Sequence, residues 1–252
     1  MNKVFITAEI GINHSGNLDT AKQLINMAIR CGCDAVKFQK RTIEDCYTKE
    51  FLDSPRESPW GTTQREQKLG LEFGQAEYDE IDAYCKKNGI IWYASAWDIK
   101  SQLFLRQYDL PYNKIASKMM ANEELLTLVA KEGKPTFIST GLNDWSKIYR
   151  AIEIFNNCPF TLMHCVMKYP CSVEECNLDR INVLKGVCSP VGYSSHYSGI
   201  LDTTLAVLLG AVALEKHITL DRASYGTDQS ASVEERGLHL MVRDAHNVGK
   251  ML

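Results

Sequence analysis

The chain has 252 residues, 45% of them hydrophobic and 23% charged, the composition of an ordinary globular protein able to bury one large core. A net charge of −3 provides no basic face for nucleic acid and no lysine run for an anionic membrane surface. Nine cysteines, an odd number without a Cys-x-x-Cys pair, argue against a disulfide framework or a zinc site.

Apolar runs such as 206–214 are far shorter than a membrane span, and residues 1–9 lack the apolar core of a signal peptide. These features predict a single cytoplasmic domain over 1–252 with reduced thiols and a small-molecule partner. In chain order, short runs rich in β-branched and aromatic residues predict strands at 4–9, 34–39, 90–95 and 113–117, then at 135–139, 160–165, 190–194 and 212–216. Amphipathic stretches with helical spacing alternate with them at 18–31, 75–88, 100–108, 123–132, 145–156, 178–184, 199–209 and 233–251. Glycine-bearing turns at Gly32, Gly89 and Gly133 close helices directly before the next strand.

Eight such β/α units in about 250 residues predict an α/β fold, a single (β/α)8 TIM barrel. A doubly wound sheet would favour Gly-x-Gly-x-x-Gly after its first strand, where this chain has Gly11-Ile12-Asn13-His14-Ser15-Gly16. The segment 41–73, with Pro55, Pro59, Trp60 and Gly61, exceeds a plain barrel turn and predicts a loop over the substrate.

Barrel active sites form at the carboxyl ends of the strands, and those ends are unusually polar here. They carry Glu9; Lys37 and Gln39; Ser95; Lys114 and Ser117; Ser139-Thr140-Gly141; His164 and Tyr169; Ser194 and His196; and Glu215, Lys216 and His217. Lysines on separate strands together with hydroxyls suit a compact, multiply charged anion, with phosphate plus carboxylate the natural candidate. The competing reading pairs Lys37, Lys114 and Lys216 with Glu9, Asp34 and Glu215 as structural ion pairs. A desolvated Lys114 also suits a Schiff-base aldolase. His196 and His217, past the ends of adjacent strands, either share a divalent cation or are two satisfied structural histidines. Two nitrogens with nearby oxygens would leave room for water and favour manganese or a similar ion over structural zinc. His14, His239 and His246 have weaker claims, the last two lying in the closing helix.

Ala8-Glu9-Ile10-Gly11-Ile12-Asn13-His14-Ser15-Gly16 and Val36-Lys37-Phe38-Gln39, followed by Lys114-Ile115-Ala116-Ser117, Ser139-Thr140-Gly141, His164-Cys165, Tyr169-Pro170, Gly192-Tyr193-Ser194-Ser195-His196 and Leu214-Glu215-Lys216-His217, closely resemble the sialic acid synthase (N-acetylneuraminate synthase) family. Asp228 with Ala231-Ser232 fits the same order. The resemblance implies attack of C3 of phosphoenolpyruvate on the aldehyde of an open-chain aldose, N-acetylmannosamine or a related sugar. Water then captures C2 with loss of phosphate, giving a 3-deoxy-2-keto sugar acid. It implies phosphoenolpyruvate binding by Lys37, Ser95, Lys114, Ser117, Ser139 and Ser194, and sugar binding by Gln39, Tyr169, His217 and Asp228. It further implies proton transfer by Glu9, a divalent metal held by His196 and His217 (Mn2+, with Mg2+ or Co2+ as substitutes), and a homodimer.

The family commonly appends a small antifreeze-like (SAF) domain; this sequence ends at the eighth predicted helix, so the expectation is the catalytic barrel alone. Met167 replaces a common asparagine, and Ser195 replaces the usual aspartate before the metal histidine. Within enzymes, the alternatives are synthases for legionaminic, pseudaminic, deaminated or shorter ulosonic acids. Their discriminating contacts would lie in 41–73, especially Trp60, Thr62, Thr63, Gln64 and Arg65. A non-catalytic sugar-phosphate-binding barrel is the remaining reading, and it leaves Glu9 and the two metal histidines without a purpose.

Overall fold

The computed structural model describes residues 3–141 and 143–252. Its eight main strands are β1 (Phe5–Gly11), β2 (Ala35–Lys40), β3 (Ile91–Ala96), β4 (Asn113–Ile115), β5 (Thr136–Ser139), β6 (Phe160–Cys165), β7 (Val191–Ser195) and β8 (Ala213–His217). The main helices are α1 (Leu18–Cys31), α2 (Gln75–Asn88), α3 (Ile99–Leu105), α4 (Glu123–Ala130), α5 (Trp145–Ile154), α6 (Arg180–Val187), α7 (Leu201–Leu208) and α8 (Glu235–Met251). The strands close in the order β1-β8-β7-β6-β5-β4-β3-β2, every pairing parallel, which is the expected (β/α)8 barrel. Among the described residues no helix is long and apolar enough to cross a membrane.

The two-residue period of a strand sorts each sequence onto two faces. Outward residues such as Ile6, Val36, Leu162 and Leu214 join the helices in the large outer core. Inward residues make a second, smaller cluster of Ala35, Tyr93, Phe137, Met163 and Ala213, with Phe5, Ile91 and Tyr112 packed against it. Aromatic contacts close this lower lumen, with Phe5 ring centroids 5.1 Å from Tyr112 and 5.8 Å from Phe137. Higher on the same faces the side chains turn polar: Thr7 bonds the Tyr93 hydroxyl at 2.8 Å, and Lys37, Ser95, Lys114, Ser139, Ser194 and Glu215 lie buried above.

Six carboxyl strand ends depart from the sequence expectation by one or two residues, β1, β2, β3, β7 and β8 running longer and β4 stopping short, and two of them matter to the site. β4 stops at Ile115, because residues Ser117–Met119 tighten into a 3-10 turn that places the Ser117 side chain beside Cys165. β8 runs one residue beyond the expected end and includes His217, paired in register with Glu9.

The segment 41–73 is not a plain loop. It contains helices Ile43–Cys46, Lys49–Leu52 and Gln64–Leu71 and a hairpin of Pro55–Ser58 with Gly61–Thr63. Thr63 and Glu66 form a capping box at the third helix. Trp60 lies over Gly70, where an added Cβ would sit 2.1 Å from the indole Cγ. Thr62 and Thr63 are occupied by Glu66, and Arg65 pairs with Glu44 and Asp53. The predicted discriminating contacts of Trp60, Thr62, Thr63 and Arg65 are therefore used to build this excursion, and none of them, nor Gln64, is among the residues lining the two cavities at the barrel mouth.

Gly192 on β7 leaves room for the inner cluster: a Cβ there would lie 2.4 Å from Met163 Sδ and 2.7 Å from the Ala213 carbonyl oxygen. Gly192→Ala is expected to destabilise the fold by about 1–3 kcal/mol through overpacking, read as a lower urea midpoint. Met163→Ala in the same chain should leave much of that loss, since the backbone carbonyl cannot retreat.

Candidate active site

At the carboxyl end of the barrel, four buried charges alternate in sign. Lys37 Nζ, from β2, stands 2.9 Å from Glu9 Oε2 of β1 and 3.8 Å from Glu215 Oε1 of β8. Lys114 Nζ, from β4, stands 3.4 Å from Glu215 Oε2. All four side chains are no more than 7% exposed, so the formal charges cancel within a dry pocket. The hydroxyls complete the set. Lys37 donates to Ser95 Oγ at 2.9 Å, Lys114 donates to Ser139 Oγ, Ser194 donates to Glu215 Oε1 at 3.1 Å, and Gln39 donates to Glu9 Oε1 at 2.7 Å.

This environment drives the two carboxylates apart. Burial raises the Glu9 carboxyl above the usual range, more than Lys37 and His217 lower it. Burial also acts on Glu215, but Lys114 and Lys37 together outweigh it and push the carboxyl down to about 2. Glu215 is thereby held as the anion, and Glu9 is the more readily protonated of the two. Burial opposes the charge on Lys37, yet Glu215 and Glu9 hold its pKa above normal; burial lowers that of Lys114 against the pull of Glu215.

His196, just past β7, and His217, the last residue of β8, have ring centroids 5.5 Å apart at the rim of this pocket. His196 Nδ1 bonds the Val166 carbonyl oxygen, which fixes the proton on Nδ1 and leaves the Nε2 lone pair facing the site. Burial pushes this imidazole down to about 3, with His217 adding to the shift, so it is neutral at physiological pH. Its Nε2 accepts from the Tyr169 hydroxyl at 2.8 Å. His217 Nδ1 is buried with no hydrogen-bond partner and lies 3.7 Å from Asp228 Oδ2. Two imidazole nitrogens, one in the ligand tautomer and one orphaned, fit a divalent cation that keeps positions open to water or substrate. Among the described residues no group of three or more His, Cys, Asp or Glu side chains is placed to hold a metal ion, so a cation here would rest on the two imidazoles.

Every residue to which the family resemblance assigns a role reaches one of two cavities that share lining residues. The inner one is lined by Glu9, Lys37, Gln39, Ser95, Lys114, Ser117, Ser139, Tyr169, Ser194, His196 and His217. Gln39 and Tyr169 also line an outer cavity of about 440 Å³, together with Asp228. Other expectations fail on strand parity. Lys216 points to the helix side, where its ammonium donates to Ser195 Oγ at 2.8 Å and to the Tyr197 carbonyl, so it is no part of the anion pocket. His164 also faces outward, with Nε2 2.9 Å from the Cys176 carbonyl oxygen. His14 stacks on Phe73 at 3.9 Å and its Nδ1 accepts from the Gly16 amide, a structural role. Asp34 pairs with Lys3 and not with a site lysine.

Ser195 does not touch the ring of His196; it donates to Asp202 Oδ2, and the Val166 carbonyl orients the histidine instead. The sequence reading offered Glu215 only as a structural ion-pair partner of a lysine; closure of the barrel places it between two of them, Lys37 and Lys114. Met167, marked in the sequence as replacing a common asparagine, lines both cavities with Trp97 and Lys118, and Arg41 and Lys68 line the outer one; apart from Met167 these are contributions that no local pattern signals.

Residues 24–252 match the NeuB family. The chain is 38% identical over 254 residues to N-acetylneuraminate-9-phosphate synthase of Homo sapiens, covering 98% of this chain and 71% of that protein. It is 32% identical over 261 residues to N,N'-diacetyllegionaminic acid synthase of Campylobacter jejuni, covering 100% of this chain and 78% of that one. Among solved structures, the N-acetylneuraminic acid (sialic acid) synthetase of Leptospira borgpetersenii in complex with citrate superposes with a TM-score of 0.90 at 32% identity, over 99% of this chain and 85% of that one. With most of its length matched by the family and by sugar-acid synthases at this identity, the chain belongs to the NeuB family.

Proposed function

We propose that the chain joins phosphoenolpyruvate to the aldehyde of an open-chain aldose, N-acetylmannosamine or a close relative, to give a 3-deoxy-2-keto sugar acid and phosphate. The observation that carries this reading is a pocket of two buried lysines and four serine hydroxyls, with Lys118 at its mouth, that opens past two imidazoles into a cavity of about 440 Å³. Membership in a family that includes sugar-acid synthases supports it.

In this reading Lys37, Lys114 and the hydroxyls of Ser95, Ser117, Ser139 and Ser194 bind the phosphate and carboxylate of phosphoenolpyruvate and fix the plane of its double bond. Gln39, Tyr169 and Asp228 hold the acceptor's hydroxyls in the outer cavity. A divalent cation such as Mn2+, held by His196 Nε2 and His217, would supply Lewis-acid polarisation of the aldehyde oxygen.

C3 of phosphoenolpyruvate bonds to the aldehyde carbon, leaving an alkoxide and an electron-poor C2. Water adds to C2 while the Glu9 carboxylate takes its proton and returns it to the alkoxide, so Glu9 ends as it began. The C2 hydroxyl passes its proton to the departing phosphate and becomes the keto group. One C–C bond forms, one C–O bond to phosphate breaks, and one water is consumed.

Phosphate release from phosphoenolpyruvate, followed across a panel of aldoses with Mn2+ or a chelator, is expected to require one acceptor and the metal. His217→Ala should lower the rate by about 10²-fold or more. No release with any aldose, in any metal, would remove the synthase reading.

Glu9 gives the reaction a pH signature. Its raised pKa means that the working carboxylate form is lost as pH falls through a value above the ordinary carboxylate pKa. kcat/KM should therefore decline on the acid side through that value. Glu9→Gln should lower kcat by about 10²–10⁴-fold and flatten the acid limb; an unchanged limb in this variant would assign the titration to another group.

A further inference from the structure

The two imidazoles stand at the ends of β7 and β8, but the ladder between these strands stops short of them. Its last pairing is Lys216 with Ser195, so His196 and Tyr197 lie past the end of the paired stretch. From the β6 side this turn is held twice: His196 Nδ1 bonds the Val166 carbonyl, and the Cys171 amide donates to the His196 carbonyl at 2.9 Å. From the β8 side it is held by a side chain. Strand parity sends Lys216 outward where His217 points inward, and the Lys216 ammonium donates to Ser195 Oγ at 2.8 Å and to the Tyr197 carbonyl. The two residues that flank His196 are thereby fastened to the residue that precedes His217.

Lys216 and Ser195 are wholly buried, and Asp202, in the first turn of α7, nearly so. The buried charge is balanced by relay. An ammonium only donates and a carboxylate only accepts, so the Ser195 hydroxyl accepts from Lys216 and donates to Asp202 Oδ2. The same carboxylate oxygen accepts from the Tyr193 hydroxyl at 2.9 Å. Methionine would fill the space beside the helices without the cost of burying an ammonium. What the charge adds is direction: bonds to defined atoms on either side of His196, which a thioether cannot make.

We propose that Lys216, held by Ser195 and Asp202, is a positioning residue that sets the spacing of the His196 and His217 imidazoles for a divalent cation. The ring centroids are 5.5 Å apart, and among the described residues no third His, Cys, Asp or Glu ligand completes the set, so displacement of one imidazole is not made good by another group. This inference rests on the reading of the two histidines as metal ligands and is independent of which sugar is the acceptor.

Mn2+ binding to the full chain, followed by electron paramagnetic resonance of the free ion, tests it without turnover, beside calorimetry of phosphoenolpyruvate binding in the absence of metal. Lys216→Met and Ser195→Ala are each expected to weaken Mn2+ about 10-fold or more. Phosphoenolpyruvate affinity, which rests on the lysines of β2 and β4, should be unchanged in both. The double variant Ser195→Asp with Asp202→Asn moves the carboxylate beside Lys216, keeps the net charge, and should restore Mn2+ affinity. Lys216→Met leaves the Asp202 charge stranded; if that variant does not fold, Ser195→Ala and the double variant decide the question. Unchanged Mn2+ affinity in the folded single variants, an equal loss of both ligands, or no recovery in the double variant would overturn the positioning role. Mn2+ binding that survives His217→Ala would overturn it as well. Loss in the single variants with recovery in the double, but no phosphate release from any aldose, would uphold the clamp and remove the synthase.

Discussion

The arrangement of Glu9, Lys37, Glu215 and Lys114 governs the rest of the site. Burying four charges costs far more than burying apolar groups of the same size, and the cost is met only because each carboxylate lies within 4 Å of a lysine. The geometry demands that β1, β2, β4 and β8 arrive in register and at a fixed separation, which an open sheet would not ensure and a closed barrel does. The apolar plug below, of Phe5, Tyr93, Tyr112 and Phe137, keeps water from the lower end of the same lumen. The upper end is left as the way in.

A pocket whose lysines are already fixed by carboxylates and hydroxyls is well suited to an anionic ligand. Its lysines are held in place by carboxylates and hydroxyls before any ligand arrives, so little side-chain entropy remains to be lost on binding. The carboxylates differ in kind because their neighbours differ. Glu215 has two lysines and stays ionised, whereas Glu9 has one lysine and an amide and is raised by burial. Tyr169 and Asp228 face the paired histidines from loops that follow β6 and β8, so the polar rim is made by chain segments distant in sequence and adjacent around the barrel.

Much of this was legible beforehand. The alternation of eight apolar runs with amphipathic stretches predicted the barrel, and the polar residues at the run ends predicted which groups meet. Ser95, Lys114, Ser139 and Ser194 all line the inner cavity as those positions implied. Errors came where a one-residue change of parity reverses a side chain: Lys216 and His164 lie beside site residues in sequence yet face the helices. The excursion 41–73 does wall the outer cavity, but not through the residues singled out beforehand. Its polar residues are consumed by a hairpin and a capping box, while the cavity wall is drawn from Arg41, Ile43, Tyr47, Lys68, Leu71 and Glu72.

The sequence by itself determined the barrel and the candidate residues, because strand periodicity and strand-end chemistry are local properties written in neighbouring positions. The tertiary structure alone decided that Glu215 is shared by two lysines, that the Val166 carbonyl sets the tautomer of His196, and that three cations from separate segments face one cavity. Charge balance, tautomer and cavity shape depend on distances between residues far apart in the chain, and those distances exist only once the barrel has closed.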